Sequence, residues 1–251
     1  MEIISQVLFC LALGVSGYLV LQRVHLIRKT IQLGKADDRS DRGGERLTNM
    51  LLLAFGQKKM FSRPLVGFLH FLVYIGFVLI NIELLEIIID GIFGTHRVFF
   101  GLLGSAYPYL LHFFEILAFG VLAACVIFLI RRNVVKVERL QAERHPEMRG
   151  WASLDANIIL TLEILLMTAF LTMNAADYLL QTRGVGHFAE VQTGKLAISQ
   201  YLAPALASLS DTALVAIERF AWWFHILGIL FFTVYLTYSK HLHIVLAFPN
   251  T

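Results

Sequence analysis

The chain has 251 residues, 57% of them hydrophobic and only 16% charged, and its mean hydropathy of +0.69 excludes an ordinary soluble domain. A net charge of +3 gives no nucleic-acid footprint, because the basic residues are gathered between apolar segments rather than on one patch. The two cysteines, Cys10 and Cys125, both lie inside apolar stretches and far from any C-x-x-C spacing, so neither an iron–sulfur cluster of the chain's own nor a disulfide is expected.

Five apolar segments, at about 3–22, 64–90, 108–130, 152–180 and 213–247, are each long enough to cross a bilayer as a helix. The expected fold is an all-α integral membrane protein, a single five-helix transmembrane bundle over residues 1–251. No positive run precedes the first segment, so it reads as a retained anchor and not a cleaved signal. Its Gly14, Ser16 and Gly17 permit close approach of a neighbouring helix, and His25 just beyond it belongs at the headgroup level.

The loop that follows opens with ADDRSDRGGE and continues as LTNMLLLAFGQKKMF, a short amphipathic helix by pattern. It serves either as a surface connector or as a docking platform for a soluble redox partner. Ten Lys and Arg lie between the first and second segments, six between the third and fourth, and Lys240 near the end of the fifth; Arg97, Arg183, Lys195 and Arg219 lie opposite. The positive-inside rule then sets the N-terminus outside and the C-terminus in the cytoplasm, in a cytoplasmic (inner) membrane.

The second segment starts at Pro64 and carries His70 roughly 9 Å from its cytoplasmic end. Its outer half carries Glu83, Glu86 and Asp90, spaced three and four apart on one face. Two readings stand for Glu83 and Glu86: a proton exit or quinol site, or solvation where the helix emerges. Solvation is expected for Asp90. The next loop, DGIFGTHRVFFGLLGSAYP, is expected to dip into the interface on Phe99, Phe100 and Tyr107. The third segment then puts His112 one turn in from the outer surface, with Glu115 three residues on as a group to orient a ligand or handle protons.

Arg131 and Arg132 close the third segment, where haem propionates or, more commonly, lipid phosphates are met. The charged run after them is expected to be a helical extension ended by His145-Pro146. In the fourth segment Glu163 falls roughly 18 Å in, near mid-membrane. It reads either as a functional acid or as a neutral one bonded to a neighbouring helix. Asp155, Asn157, Asn174 and Asp177 are expected at the membrane interfaces. The loop 181–211, with His187, carries no evident chemistry.

The fifth segment holds His225 and His243, eighteen residues apart. On one continuous helix they share a face at depths roughly 27 Å apart, one near each surface of a core about 30 Å thick. His241 points away from that face. Depth matches His70 with His243 at the inner level and His112 with His225 at the outer, although His225 can also be partnered from the second segment or by His96 or His187. Such pairs suit two haems stacked across the membrane.

The ending SKHLHIVLAFPN resembles the close of the last helix in the respiratory nitrate reductase gamma subunit family. The same five-helix cytochrome b domain occurs in the membrane subunit of heterodisulfide reductases. The chain is also similar to the membrane part of fused iron–sulfur proteins linked to electron-transfer flavoprotein and menaquinone. The resemblance implies two b-type haems (haem b) with bis-histidine ligation on His70, His243, His112 and His225, a (mena)quinone site near the outer haem, and a cytoplasmic iron–sulfur or flavoprotein partner. The chain departs from the nitrate reductase pattern at Ile80, ten past His70, where that pattern has its second ligand. His112 is the expected substitute. In the fused relatives a cysteine-rich domain follows directly, so the clusters are expected in a partner or in a further C-terminal domain.

The expected function is therefore electron transfer between that partner and membrane quinone, as the membrane module of a quinone-linked oxidoreductase. Glu86, Glu115 and Glu163 are the expected proton-handling groups. The rival expectations are a cofactor-free membrane anchor for a redox complex and a small transporter using Glu163 and Asp177 as a relay.

Overall fold

In the computed structural model, residues 3–35, 41–56, 60–141 and 150–248 are described. Among them every regular element is helical. The long helices are α1 (Ile3–Gln32), α3 (Pro64–Phe93), α5 (Tyr107–Asn133), α6 (Trp151–Thr182) and α8 (Asp211–Leu236); the short ones are α2 (Gly43–Asn49), α4 (Val98–Leu103), α7 (Ser199–Leu206) and α9 (His243–Leu246). Five stretches are long and apolar enough to cross a membrane: α1, α3, α4 with α5 as one run from Val98 to Asn133, α6, and α8. The chain is thus a multi-pass, all-α membrane protein.

Local chemistry sets the ends. Pro64 opens α3, and a proline stands in the first turn of α5, where the missing N–H has no intrahelical partner to lose. Gly94, at φ 71°, closes α3 and returns its N–H to the carbonyl of Asp90 at 2.8 Å. His145-Pro146 lies outside the described residues; before it only a short 3₁₀ turn, Glu138–Leu140, follows α5.

By contact the chain divides into two units, Met1–Leu11 with Leu72–Ile229, and Ala12–Phe71 with Leu230–Thr251. In the first, Ala118, Ala124, Ala175 and Ala176 are fully buried and let α5 and α6 lie close. Gly76 on α3 meets the Val121 side chain of α5, and Gly228 on α8 has Leu166 Cδ2 of α6 2.5 Å from where a Cβ would stand. In the second unit, Ser16 Oγ donates to the Leu230 carbonyl at 3.2 Å, and the Arg23 guanidinium lies 4.4 Å over the ring of Tyr238. Of the helix expected over 47–61, residues 47–55 are helical, as the end of α2 and a π-helical turn, Met50–Phe55, whose Phe55 ring packs edge-on against Phe248 at 4.9 Å; residues 57–59 lie outside the described residues.

The expectation of one continuous helix from 213 to 247 is corrected. α8 ends at Leu236, a turn follows, and Lys240–Leu242 is a 3₁₀ turn leading into α9. Thr237 Oγ1 donates back to the Val234 carbonyl at 2.8 Å, while Ser239, extended at φ −92°, ψ 161°, accepts from the His241 N–H at 3.0 Å. Hydroxyl side chains here compete with the helical ladder and end it. The eighteen-residue spacing of His225 and His243 therefore no longer implies a shared face.

Candidate functional site

Two histidines of the second unit come together. His70, on the first turns of α3, and His243, opening α9, are both exposed and lie within electrostatic reach of each other. His243 Nδ1 is 2.8 Å from the Lys240 carbonyl, a contact that makes Nδ1 the donor and leaves Nε2 with a free lone pair. The donor chemistry fits bis-imidazole ligation of iron. Both the resemblance and the depth count pointed to this pair, although the helix break means that His243 reaches its position from a separate turn.

At the other level His225 is buried. Its Nδ1 lies 3.0 Å from the Leu166 carbonyl, and its ring packs on Phe170 at 5.8 Å. That tautomer again presents Nε2, but among the described residues no hydrogen bond or ring contact joins His225 to His112, which is half-buried on α5. Of the two arginines expected near propionates or lipid, Arg132 is buried and donates to Ser153 Oγ at 2.9 Å and to the Ser153 carbonyl at 3.2 Å, tying α5 to the start of α6; Arg131 is half-buried beside it. Glu163 is half-buried, has no described hydrogen bond to a neighbouring helix, and stands within electrostatic reach of the Cys125 thiol.

The densest polar assembly lies in the first unit, where α3 ends and α5 begins. Asp90 accepts from Thr95 Oγ1 at 2.5 Å, the Arg97 N–H at 2.7 Å and the Val98 N–H at 3.2 Å. Glu86 accepts from the Phe99 N–H at 2.8 Å and the Tyr107 hydroxyl at 2.7 Å. Arg97, at φ 53°, donates to Asp177 Oδ2 through Nε at 2.7 Å and Nη2 at 2.5 Å, to Asn174 Oδ1 at 3.0 Å, and to the Tyr107 hydroxyl at 3.3 Å. Asn174 in turn donates to Glu115 at 3.1 Å. Glu115, fully buried, also accepts from the Ile198 N–H at 2.8 Å, the Ser199 N–H at 3.2 Å and the Ser199 hydroxyl, so it anchors the start of α7 on α5.

These positions correct several expectations. Asp90 is buried and hydrogen-bonded, not solvated. Asn174 and Asp177 are buried partners of Arg97, and Tyr107, expected to anchor a loop in the interface, is fully buried with its hydroxyl on Glu86. Burial also removes the solvated reading of Glu83 and Glu86. Arg97 escaped notice as a loop residue on the side with few basic groups; the depth matching applied to the histidines, applied to Asp90, Arg97 and Asp177, was the signal that could have found it.

The exposed end of the assembly is aromatic. His96 Nε2 stands 3.8 Å from Asp177 Oδ1, and its ring meets His187 edge-on at 5.1 Å. Burial, then the neighbouring His96 and Arg219, hold the His187 imidazole below its usual range.

The chain is 29% identical over 238 residues to the probable iron-sulfur-binding oxidoreductase FadF of Bacillus subtilis (strain 168). The similar region takes in 94% of this chain but only 31% of that protein's length. No family model matches, and no solved structure does.

Proposed function

We propose that the chain is the membrane electron-transfer module of a quinone-linked oxidoreductase, passing electrons between a cytoplasmic iron–sulfur or flavoprotein partner and membrane (mena)quinone. The observation that carries the reading is the His70–His243 pair: two exposed imidazoles in mutual reach, one with its Nδ1 committed to a backbone carbonyl. The similarity to a probable iron-sulfur-binding oxidoreductase supports it from outside the site.

In this reading His70 and His243 would hold one b-type haem, His243 through Nε2, with the Lys240 carbonyl fixing its tautomer and raising its basicity. Bound haem supplies one-electron chemistry at iron. His225 is the candidate ligand for a second haem, with its tautomer fixed by the Leu166 carbonyl; the described contacts give it no second imidazole, so the first site is the better supported.

A reduced-minus-oxidised visible spectrum of the detergent-purified chain, with haem per polypeptide quantified, tests the proposal. Loss of one haem per polypeptide in His243→Ala and in His70→Ala is expected, with any second haem kept. A folded preparation from haem-replete cells that carries no haem overturns it in favour of a cofactor-free anchor. An unchanged haem count in both variants overturns the ligand pair.

A further inference from the structure

Glu83, Glu86 and Asp90 stand on one face of α3 and cover about 10 Å of its axis. Their exposure rises outward from 3% to 4% to 7%, and Asp90 then meets the hydroxyl of Thr95, an exposed residue, at 2.5 Å. Gly76, two turns before Glu83 on the same face, lies against Val121 of α5, so Glu83 faces α5 as well. Adjacent acids on the ladder are within electrostatic reach, Glu83 of Glu86 and Glu86 of Asp90.

The groups facing this row are Tyr107 and Glu115 from α5, Arg97 from the turn before α4, and, beyond Arg97, Asn174 and Asp177 from α6. Glu86, Asp90, Glu115 and Asp177 each have donors. Glu83 Oε2 is buried and meets none among the described residues; on the far side of Arg97, Asp177 Oδ1 also lacks a hydrogen bond but stands 3.8 Å from His96 Nε2. Five buried carboxyls thus surround a single buried guanidinium, which cannot neutralise them all, and the innermost has an oxygen free to take a proton. Arg97 cannot relay, because a guanidinium keeps its protons; it holds Asp177 and Tyr107 in place.

We propose that Glu83, Glu86 and Asp90 form a proton path that opens at Thr95 and ends at Glu83. Each carboxyl receives a proton on one oxygen and releases one from the other, with the Tyr107 hydroxyl steadying Glu86. Use of the path in quinone chemistry rests on the preceding reading. There, reduction of one quinone to quinol takes two electrons from the reduced soluble partner and two protons along the path, and quinol oxidation returns both.

Infrared difference spectroscopy of the whole chain in lipid vesicles, switched from H2O to D2O, tests the path without turnover. A carboxylic C=O band that disappears in Glu83→Gln and shifts promptly in D2O is expected. In Glu86→Gln, which keeps the side chain's size and one of the two acceptor oxygens that Phe99 and Tyr107 use, the Glu83 band should exchange at least about a hundredfold more slowly. Asp155→Asn, a buried acid on α6 far along the helix from the row, should leave that rate unchanged and controls for loss of a buried carboxyl. Absence of any band assignable to Glu83, or an unchanged rate in Glu86→Gln, overturns the path. Haem content read on the same samples separates the two ideas: haem-free vesicles with the expected exchange overturn electron transfer and leave the path standing, and haem-loaded ones with unchanged exchange do the reverse.

Discussion

Arg97 is held at a left-handed φ of 53°, a conformation that costs a non-glycine residue about 1–2 kcal/mol. Asp90 secures the backbone through the Arg97 N–H, and Asp177 secures the guanidinium. Replacing Asp177 by alanine strands a buried charge, and a loss of about 3–5 kcal/mol is expected in denaturant unfolding of the detergent-solubilised chain. Arg97→Lys keeps the charge but loses the forked donors to Asp177 and Asn174, so a smaller loss is expected. His187 adds a pH term. Its folded pKa is depressed, so between that value and the unfolded one, about 6.5, the unfolded chain binds more protons. Stability should be level above about pH 6.5 and fall below it, and His187→Gln should flatten that part of an unfolding-midpoint profile. None of these partners was legible individually. A sequence read by depth gives the level of Asp90, Arg97 and Asp177 along their helices but not their azimuth, and azimuth decides whether a charge meets a counter-charge or water.

Among the elements, α7 depends on one side chain from another helix. Glu115 takes the Ile198 and Ser199 N–H groups together with the Ser199 hydroxyl. Hydrogen bonds to a charged group contribute about 1.5–3 kcal/mol each, so Glu115→Ala should free α7 before it unfolds the bundle. Limited proteolysis that cuts faster between Val191 and Ser199, with the long helices intact by circular dichroism, is the expected result; unchanged cutting would remove Glu115 as the anchor. The long helices were legible because hydropathy over about 20 residues decides a span whatever its partners. The end of α8 was not, because TVYLTYSKHLH contains neither glycine nor proline, and the break comes from the hydroxyls of Thr237 and Ser239. Ser239→Ala removes that cap, at about 1 kcal/mol, and should loosen haem retention if His243 is a ligand.

At the scale of the whole chain, the basic residues between the first and second and the third and fourth spans outnumber those opposite. With five membrane-capable helices, this asymmetry sets the expected topology. A fluorescent protein fused after Thr251 should fluoresce in the cytoplasm, and an alkaline phosphatase at the same point should stay inactive; the opposite pair of results would reverse the orientation. The proximity of His70 and His243 was legible at this scale because both belong to one unit. What surrounds His112 and His225 depends on orientation about the helix axes, which no spacing supplies.

The Arg97–Asp177 pair joins residues 80 positions apart. Synthesis at about 5–20 residues per second leaves Arg97 waiting about 4–16 s for its carboxylate. During biogenesis the second and third spans must therefore be held at the insertion machinery, or tolerate Arg97 without its forked carboxylate partner, until the fourth arrives. A ribosome stalled before Asp177 should leave a nascent chain that is extractable or protease-sensitive at that hairpin, and one stalled well beyond it should not.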